Sequence, residues 1–181
     1  MSKILIFKAL IVLAYVLVLV FNYLANALPL NNRTTGAISD AYPSFFTPAG
    51  FTFSIWGLIY LLVGIFVFQA VATSSETYFL NYPIRLQVLF VVTCLVNILW
   101  LLAWHYDKIW VSLILMILFM LTLLTIVFYS KHLTDFTKMT FSVYAGWIAI
   151  ALIANVTIFI VKLNLPLFQD HAIFWYIAIM I

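Results

Sequence analysis

Long apolar runs alternate with short polar breaks along this chain of 181 residues. A helix needs about 20 apolar residues to cross a bilayer, and five runs qualify: residues 4–28, 51–72, 86–104, 109–129 and 139–163. A sixth apolar run begins near residue 172 and is still apolar at residue 181, so we expect a truncated chain. The pattern predicts an all-α polytopic membrane helix bundle, a single transmembrane domain over residues 1–181 with a five-helix core at about 4–163.

Proline residues stand at several of the breaks between the apolar runs. Pro29 follows the first run, Pro83 precedes the third and Pro166 follows the fifth, as expected for a residue that removes a helical hydrogen bond. The connections are short except for residues 29–50, PLNNRTTGAISDAYPSFFTPAG. Connections of this length are often lids or binding loops.

Composition narrows the class of protein further. The chain is 67% hydrophobic and 7% charged, with a mean hydropathy of +1.23, which is typical of a membrane protein. The net charge of +3 comes from basic residues that are scattered along the chain, so we expect no nucleic-acid partner. The single cysteine, Cys94, excludes an intrachain disulfide and a cysteine metal cluster. No Asp, Glu, Lys or Arg lies deep in a run, which argues against an ion-driven pump.

Basic residues in the connections predict the orientation in the membrane. Five of them fall on one side of the predicted bundle and three on the other, which favours a cytoplasmic N-terminus and an external first loop. The first run is too long for a signal peptide, and the start of the chain carries no Arg-rich amphipathic presequence. We therefore expect an integral, multi-pass protein of the bacterial inner membrane. The first side has Lys3, Lys8, Arg85, Lys131 and Lys138, and the second has Arg33, Lys108 and Lys162.

The polar residues within or beside the runs have two interpretations each. Asn97 and Asn155 lie at depth, where an amide must find a hydrogen-bond partner. Each amide either joins two helices or binds a ligand, and polarity alone favours the first. His105 and Asp107, at the end of the third run, form either an interfacial pair or part of a solvated turn, HYDK, and the turn is the simpler interpretation.

Aromatic, amide and small residues recur on one face of three predicted helices. Positions three, four, seven and eleven apart share a helical face, and lipid-facing surfaces need only aliphatic residues and Phe. We therefore expect these stripes to face inward, either as a packed core or as the wall of a cavity for a flat, apolar ligand. The stripes are Phe53, Trp56, Tyr60 and Gly64; Thr93, Asn97, Trp100 and Trp104; and Tyr144, Trp147, Ala151 and Asn155.

The same stretches resemble motifs of the TspO/MBR family of tryptophan-rich sensory proteins, whose animal members are the translocator proteins, or peripheral benzodiazepine receptors. The stretch TPAGFTFSIWGLIY is similar to the family pattern Pro-Pro-x-Trp followed by Trp-x-x-Leu-Tyr, with Ala49 and Phe51 as departures. CLVNILWLLAWHY is similar to Leu-Asn-x-x-Trp. VYAGWIAIALIAN is similar to Pro-Tyr-x-x-Trp, small residues and Leu-Asn, with Val143 replacing proline. The chain is identified as a divergent, larger member.

The resemblance implies a five-helix bundle that binds a hydrophobic, partly planar molecule and acts as a sensor or carrier. Porphyrins and haem are ligands in this family, and no cofactor is required. The partners implied are the bilayer, the ligand and, in a family that often dimerises, a second copy of the chain. Carried over by position, the ligand-binding residues are Trp56, Tyr60, Asn97, Trp100, Trp147 and Ala151, with Phe53, Tyr144 and Asn155 beside them, while Phe51 and the first loop close the mouth.

Two other functions stay open at this point. The first is a transporter of small hydrophobic solutes, and the second is a porphyrin-degrading enzyme. We rank the enzyme last and expect no catalytic residue and no metal site, because the sequence offers no buried carboxylate pair, no Ser–His–Asp set and no metal cluster. The family's sterol-recognition stretch is altered here to VTIFIVK, with Phe159 before Lys162, so sterol binding is not expected.

Overall fold

The computed structural model describes residues 3–27, 30–42 and 48–163. Within these residues the chain is helical, without strands, and five of its helices are long and apolar enough to cross a membrane. In chain order the helices are α1 (Lys3–Asn26), α2 (Thr35–Asp40), α3 (Ile55–Ala72), α4 (Tyr78–Asn81), α5 (Ile84–His105), α6 (Ile109–Tyr129) and α7 (Asp135–Leu163). The predicted all-α, multi-pass membrane bundle is confirmed.

The observed spans agree with the apolar runs to within four residues at each end. Helix α6 has the predicted bounds, and α7 begins four residues before the predicted run. Hydropathy misses that first turn because it is polar: Thr134 accepts a hydrogen bond at its Oγ1 from the Thr137 amide, 3.2 Å away, and so starts the helix. The predicted sixth span, from about residue 172, lies outside the described residues.

The five spanning helices close into a ring in which each helix packs against two neighbours. The order around the ring is α1, α5, α6, α7, α3 and back to α1. Helix α6 packs extensively against both α5 and α7, whereas α3 makes thinner contacts with α7 and α1. Buried side chains on α6 fill the ring on that side: Met116, Phe119, Leu123 and Ile126.

A lysine stabilises the end of α3, and a proline precedes the start of α5. Lys8 on α1 donates from Nζ to the carbonyl oxygens of Val71 and Thr73, at 2.8 and 2.7 Å, and a cation there stabilises the C-terminus of α3. Pro83 precedes the first turn of α5 and has the extended backbone expected of a residue that begins a helix. The predicted break at Pro83 is therefore the observed start of a span.

Three hydrogen bonds attach the described part of the first loop to the end of α5 and to the turn that follows it. Asn31 donates to the His105 carbonyl at 2.9 Å, and Tyr42 donates to Asp107 Oδ1 at 2.7 Å. Between them, the Trp104 indole Nε1 donates to the Thr35 carbonyl at 3.2 Å. These bonds place the short helix α2 against α5 at the mouth of the ring.

The HYDK turn is exposed at Tyr106, Asp107 and Lys108, as the simpler interpretation predicts, but His105 is not. His105 is buried, and its ring nitrogens lie 2.8 Å from the Leu101 carbonyl and 3.2 Å from the Ala25 carbonyl. Asp107 pairs instead with Lys162, at 2.6 Å between Oδ2 and Nζ. The turn thus joins the end of α5 to α1 and α7, because partners from distant parts of the chain meet at this end of the ring.

Candidate functional site

Trp56, near the start of α3, is the centre of an aromatic cluster at the mouth of the ring. Its ring centroid lies 6.3 Å from that of Trp100 on α5 and 6.1 Å from that of Trp147 on α7, the latter edge-on at 85°. Below it, Tyr60 stacks at 5.4 Å with an interplanar angle of 16°. The three predicted stripes therefore meet, since α3, α5 and α7 each turn their aromatic face inward.

A small cavity of about 30 Å³ lies between these tryptophans and the first loop. We call it the tryptophan cavity. It has room for one or two water molecules, and none of its lining side chains carries a charge. The lining residues come from α2, from the chain that leads into α3, from α5 and from α7. They are Thr35 and Ser39 of α2; Pro48, Phe53 and Trp56 at or before the start of α3; Trp100 and Trp104 of α5; and Trp147, Ala151, Ala154 and Asn155 of α7.

Three of the residues that line the tryptophan cavity carry a polar group with no hydrogen-bond partner among the described residues. These groups are the indole Nε1 atoms of Trp100 and Trp147 and the hydroxyl of Thr35, and all three are buried. Buried polar groups are rarely left unpaired, because the loss of hydration is costly. Since an indole nitrogen can only donate, two residues of the cavity wall each hold a hydrogen-bond donor that no described residue satisfies.

The amide of Asn97 lies one turn deeper and does not line this cavity. Its Nδ2 donates to the Tyr144 hydroxyl at 2.7 Å and, more weakly, to the Tyr60 hydroxyl at 3.4 Å. Its Oδ1 lies 3.5 Å from the Asn22 amide on α1. This amide therefore links α5 to α7, α3 and α1, which is the helix-joining interpretation. Ligand contacts of Tyr60, Asn97 and Tyr144 stay predictions.

Asn155 lines the cavity and also joins two helices. It exchanges hydrogen bonds with Ser112 on α6, from Asn155 Nδ2 to Ser112 Oγ at 3.0 Å and from Ser112 Oγ to Asn155 Oδ1 at 3.2 Å. The side chain of Ala151, one turn earlier on α7, forms part of the wall. A ligand contact of Ala151 stays a prediction.

Phe51 takes a different position from the other predicted residues. Its side chain is 82% exposed and lines an outer groove between α3 and α7 rather than the tryptophan cavity. Phe51 does not line the tryptophan cavity, whose wall near the first loop is formed by Pro48, Phe53 and α2. Closure of the mouth by Phe51 stays a prediction. The 3₁₀ turn Gly50–Ser54 directs Phe53 inward, edge-on to Trp147 at 6.1 Å.

Five wall residues were missing from the predicted site: Thr35, Ser39, Pro48, Trp104 and Ala154. Trp104 was placed on the inward stripe, but not among the ligand contacts. Thr35 and Ser39 were missed because they lie in the loop. A local signal for α2 does exist: Thr34 is an N-cap, with its Oγ1 accepting from the Ala37 amide at 3.2 Å, and threonine before a short helical stretch predicts such a start.

An ion pair borders the mouth on the α7 side. Partial burial would raise the pKa of Asp107, but hydrogen bonds from Lys162 and Tyr42 outweigh it and hold that pKa below its usual value of 3.8. Burial also raises the pKa of Tyr42, and its hydrogen bond to Asp107 adds to the shift. In the part of the chain that the structure describes, no group of three His, Cys, Asp or Glu side chains could hold a metal ion.

Comparison with known families identifies the chain over nearly its whole length. A family described as TSPO-like protein matches residues 8–181. Searches of curated proteins and of solved structures gave no match. The family match covers all five spanning helices except the first turn or so of α1, and includes every residue of the tryptophan cavity. The chain belongs to the family of TSPO-like proteins, as an integral, multi-pass membrane protein.

Proposed function

We propose that the bundle binds a hydrophobic, partly planar molecule of the porphyrin or tetrapyrrole type at the tryptophan cavity, and acts as a sensor or carrier. The aromatic rings around Trp56 offer stacking surface of the kind that flat ligands use. Small-molecule sites are mostly apolar with a few placed polar groups, and the lining of this cavity has that character. We propose a binding role rather than an enzymatic one.

The observation that carries the proposal is the pair of unpartnered indole donors. Trp100 and Trp147 line the same cavity, and their buried Nε1 atoms have no acceptor among the described residues. A ligand that brings an acceptor, such as a carboxylate or a carbonyl oxygen, would satisfy them. Porphyrins with propionate side chains combine a flat apolar ring with such acceptors, so this ligand class meets both requirements.

Binding requires the cavity to widen. Sites for drug-sized ligands are typically about 300–1,000 Å³, which is at least tenfold larger than the present 30 Å³. The wall formed by α2 is the candidate for movement, because α2 is six residues long and packs less extensively against α5 than the spanning helices α1 and α6 do. We infer that the described conformation is the closed form and that α2 moves when ligand binds.

Titration with two porphyrins tests the proposal. Protoporphyrin IX carries two propionates, whereas etioporphyrin has alkyl groups only. With the protein in nanodiscs, we expect saturable quenching of tryptophan fluorescence by protoporphyrin IX and a roughly 3- to 10-fold weaker affinity in Trp147→Phe, the value of one hydrogen bond. Etioporphyrin should bind the wild type and Trp147→Phe with more nearly equal affinity. The matched control is Trp110→Phe, since Trp110 is 62% exposed on α6, away from the cavity.

Each result has a definite meaning. Equal protoporphyrin affinities for Trp147→Phe and Trp110→Phe would refute the assignment of the cavity, and unsaturable quenching in the wild type would refute the binding function. Conversion of the porphyrin to a new absorbing species, lost in Trp56→Phe, would favour the enzymatic alternative.

A further inference from the structure

The outer surface of the ring has a groove between α3 and α7, on the side that faces lipid. Its volume is about 500 Å³, which lies within the range of sites for small molecules. Leu58 and Ile150, on opposite walls, are 47% and 51% exposed. Apart from Thr52 and Ser54 the lining is apolar, so the groove suits a molecule dissolved in the bilayer.

Trp147 belongs to both spaces: its side chain lines the outer groove and also the tryptophan cavity. One indole ring therefore separates a lipid-facing groove from the interior of the bundle. The ring makes edge-on contacts with Phe53 and Trp56, both at 6.1 Å. Its Nε1 has no hydrogen-bond partner in the described part of the chain, so no such bond holds the indole in its present orientation.

The contact between α3 and α7, beside this indole, is one of the less extensive helix contacts in the ring. Helix α7 packs more extensively against α6 than against α3. On the water side, by contrast, α2 stands over the tryptophan cavity and is tied to α5 through the bond between Trp104 and Thr35. A lipophilic molecule therefore meets fewer obstacles from the bilayer than from the aqueous face.

We propose that the groove between α3 and α7 is a lateral entrance, through which an apolar, flat ligand passes from the bilayer into the tryptophan cavity, with Trp147 as the gate. This inference rests on the proposed binding function and adds the route to it. Rotation of the Trp147 indole joins the groove of about 500 Å³ to the cavity of about 30 Å³.

A plug in the groove tests the entrance. Ile150→Cys is prepared in nanodiscs and, after folding, labelled with a bulky, lipid-soluble maleimide, while the native Cys94 is buried. The matched control is Leu99→Cys carrying the same label, because Leu99 is also 51% exposed but lies on α5. The probe is protoporphyrin IX delivered from lipid vesicles, and binding and release are followed by its Soret absorbance.

We expect the label at position 150 to slow association and dissociation together, about 10-fold, with the dissociation constant unchanged within about twofold, because a gate alters rates and not equilibrium. Unlabelled Ile150→Cys and labelled Leu99→Cys should keep wild-type rates. Equal rates in the two labelled proteins would overturn the entrance while leaving the binding function intact. Weaker affinity with unchanged dissociation would also overturn it. Absence of binding in the wild type would refute the binding function, and the entrance with it.

Discussion

The Tyr15 hydroxyl on α1 lies directly against Gly64 on α3, where an added Cβ atom would meet the hydroxyl oxygen at 2.5 Å. The same hydroxyl donates to the Tyr60 carbonyl at 2.8 Å. A side chain at position 64 is therefore incompatible with the present position of the Tyr15 hydroxyl and with its hydrogen bond. Small residues allow close contacts between membrane helices, and here the glycine lets Tyr15 of α1 reach the backbone of α3 at Tyr60.

Replacing Gly64 with alanine should destabilise the bundle by about 1–3 kcal/mol, the usual range for overpacking. The measurement is unfolding by SDS titration in bicelles. Gly57→Ala is the matched control, because a Cβ at Gly57 meets nothing within 4 Å, and it should change the free energy of unfolding by less than about 0.5 kcal/mol. Equal effects of the two substitutions would contradict the close approach.

Removing the Asn97 amide should reduce stability more than removing one of its partners. Asn97→Leu leaves the Tyr144 hydroxyl and the Asn22 amide without their partner at position 97, and we expect a loss of about 1–2 kcal/mol. Tyr144→Phe removes a single hydroxyl and should lose about 1 kcal/mol or less. The same SDS titration compares them. Wild-type stability of Asn97→Leu would show that the polar cluster does not hold the helices together.

The pair of Asn155 and Ser112 can be measured with a double-mutant cycle. Asn155→Ala, Ser112→Ala and the double variant should give a coupling energy of about 0.6 kcal/mol, the average for hydrogen bonds between membrane helices. Additive effects would contradict a helix-joining role for Asn155. Protoporphyrin affinity measured on the same three proteins separates this role from a ligand contact, because Ser112 is not among the residues that line the tryptophan cavity.

Stability should fall at low pH through Asp107. Its pKa is lowered in the folded protein, so its contribution is complete above the unfolded value, 3.8 in the reference state, and is lost as pH falls through the folded pKa. Since its side chain is 47% exposed, solvent screening keeps the effect small. Thermal unfolding between about pH 5 and pH 2 should show a shallower acid loss in Asp107→Asn than in the wild type.

A second carboxylate provides the control for the acid loss. Asp135 lies 3.5 Å from Lys138, and its side chain is 99% exposed, so Asp135→Asn should retain the wild-type pH profile. The same profile in Asp107→Asn and the wild type would contradict the stabilising role of the pair formed with Lys162.

The inward stripes show which features of the site can be predicted from helical spacing in the sequence. Trp56, Trp100 and Trp147 converge as their helical spacing predicted, because a side chain's direction from its own helix follows from position in sequence. The pattern did not reveal that Asn97 finds protein partners on three other helices, or that Phe51 turns outward while Phe53 turns inward. Those outcomes depend on the 3₁₀ turn and on how neighbouring helices are seated, neither of which is encoded in hydropathy.

By itself, the sequence determined the fold class, the five spans and the face that each aromatic helix turns inward, since apolar length and helical periodicity are local properties. Only the tertiary structure decided the order of the helices around the ring, the position of α2 over the cavity and the pairing of Asp107 with Lys162. It also decided the size of the tryptophan cavity and left two indole donors unpartnered among the described residues. These features depend on contacts between residues far apart in the chain, and the packing of the helices sets those contacts.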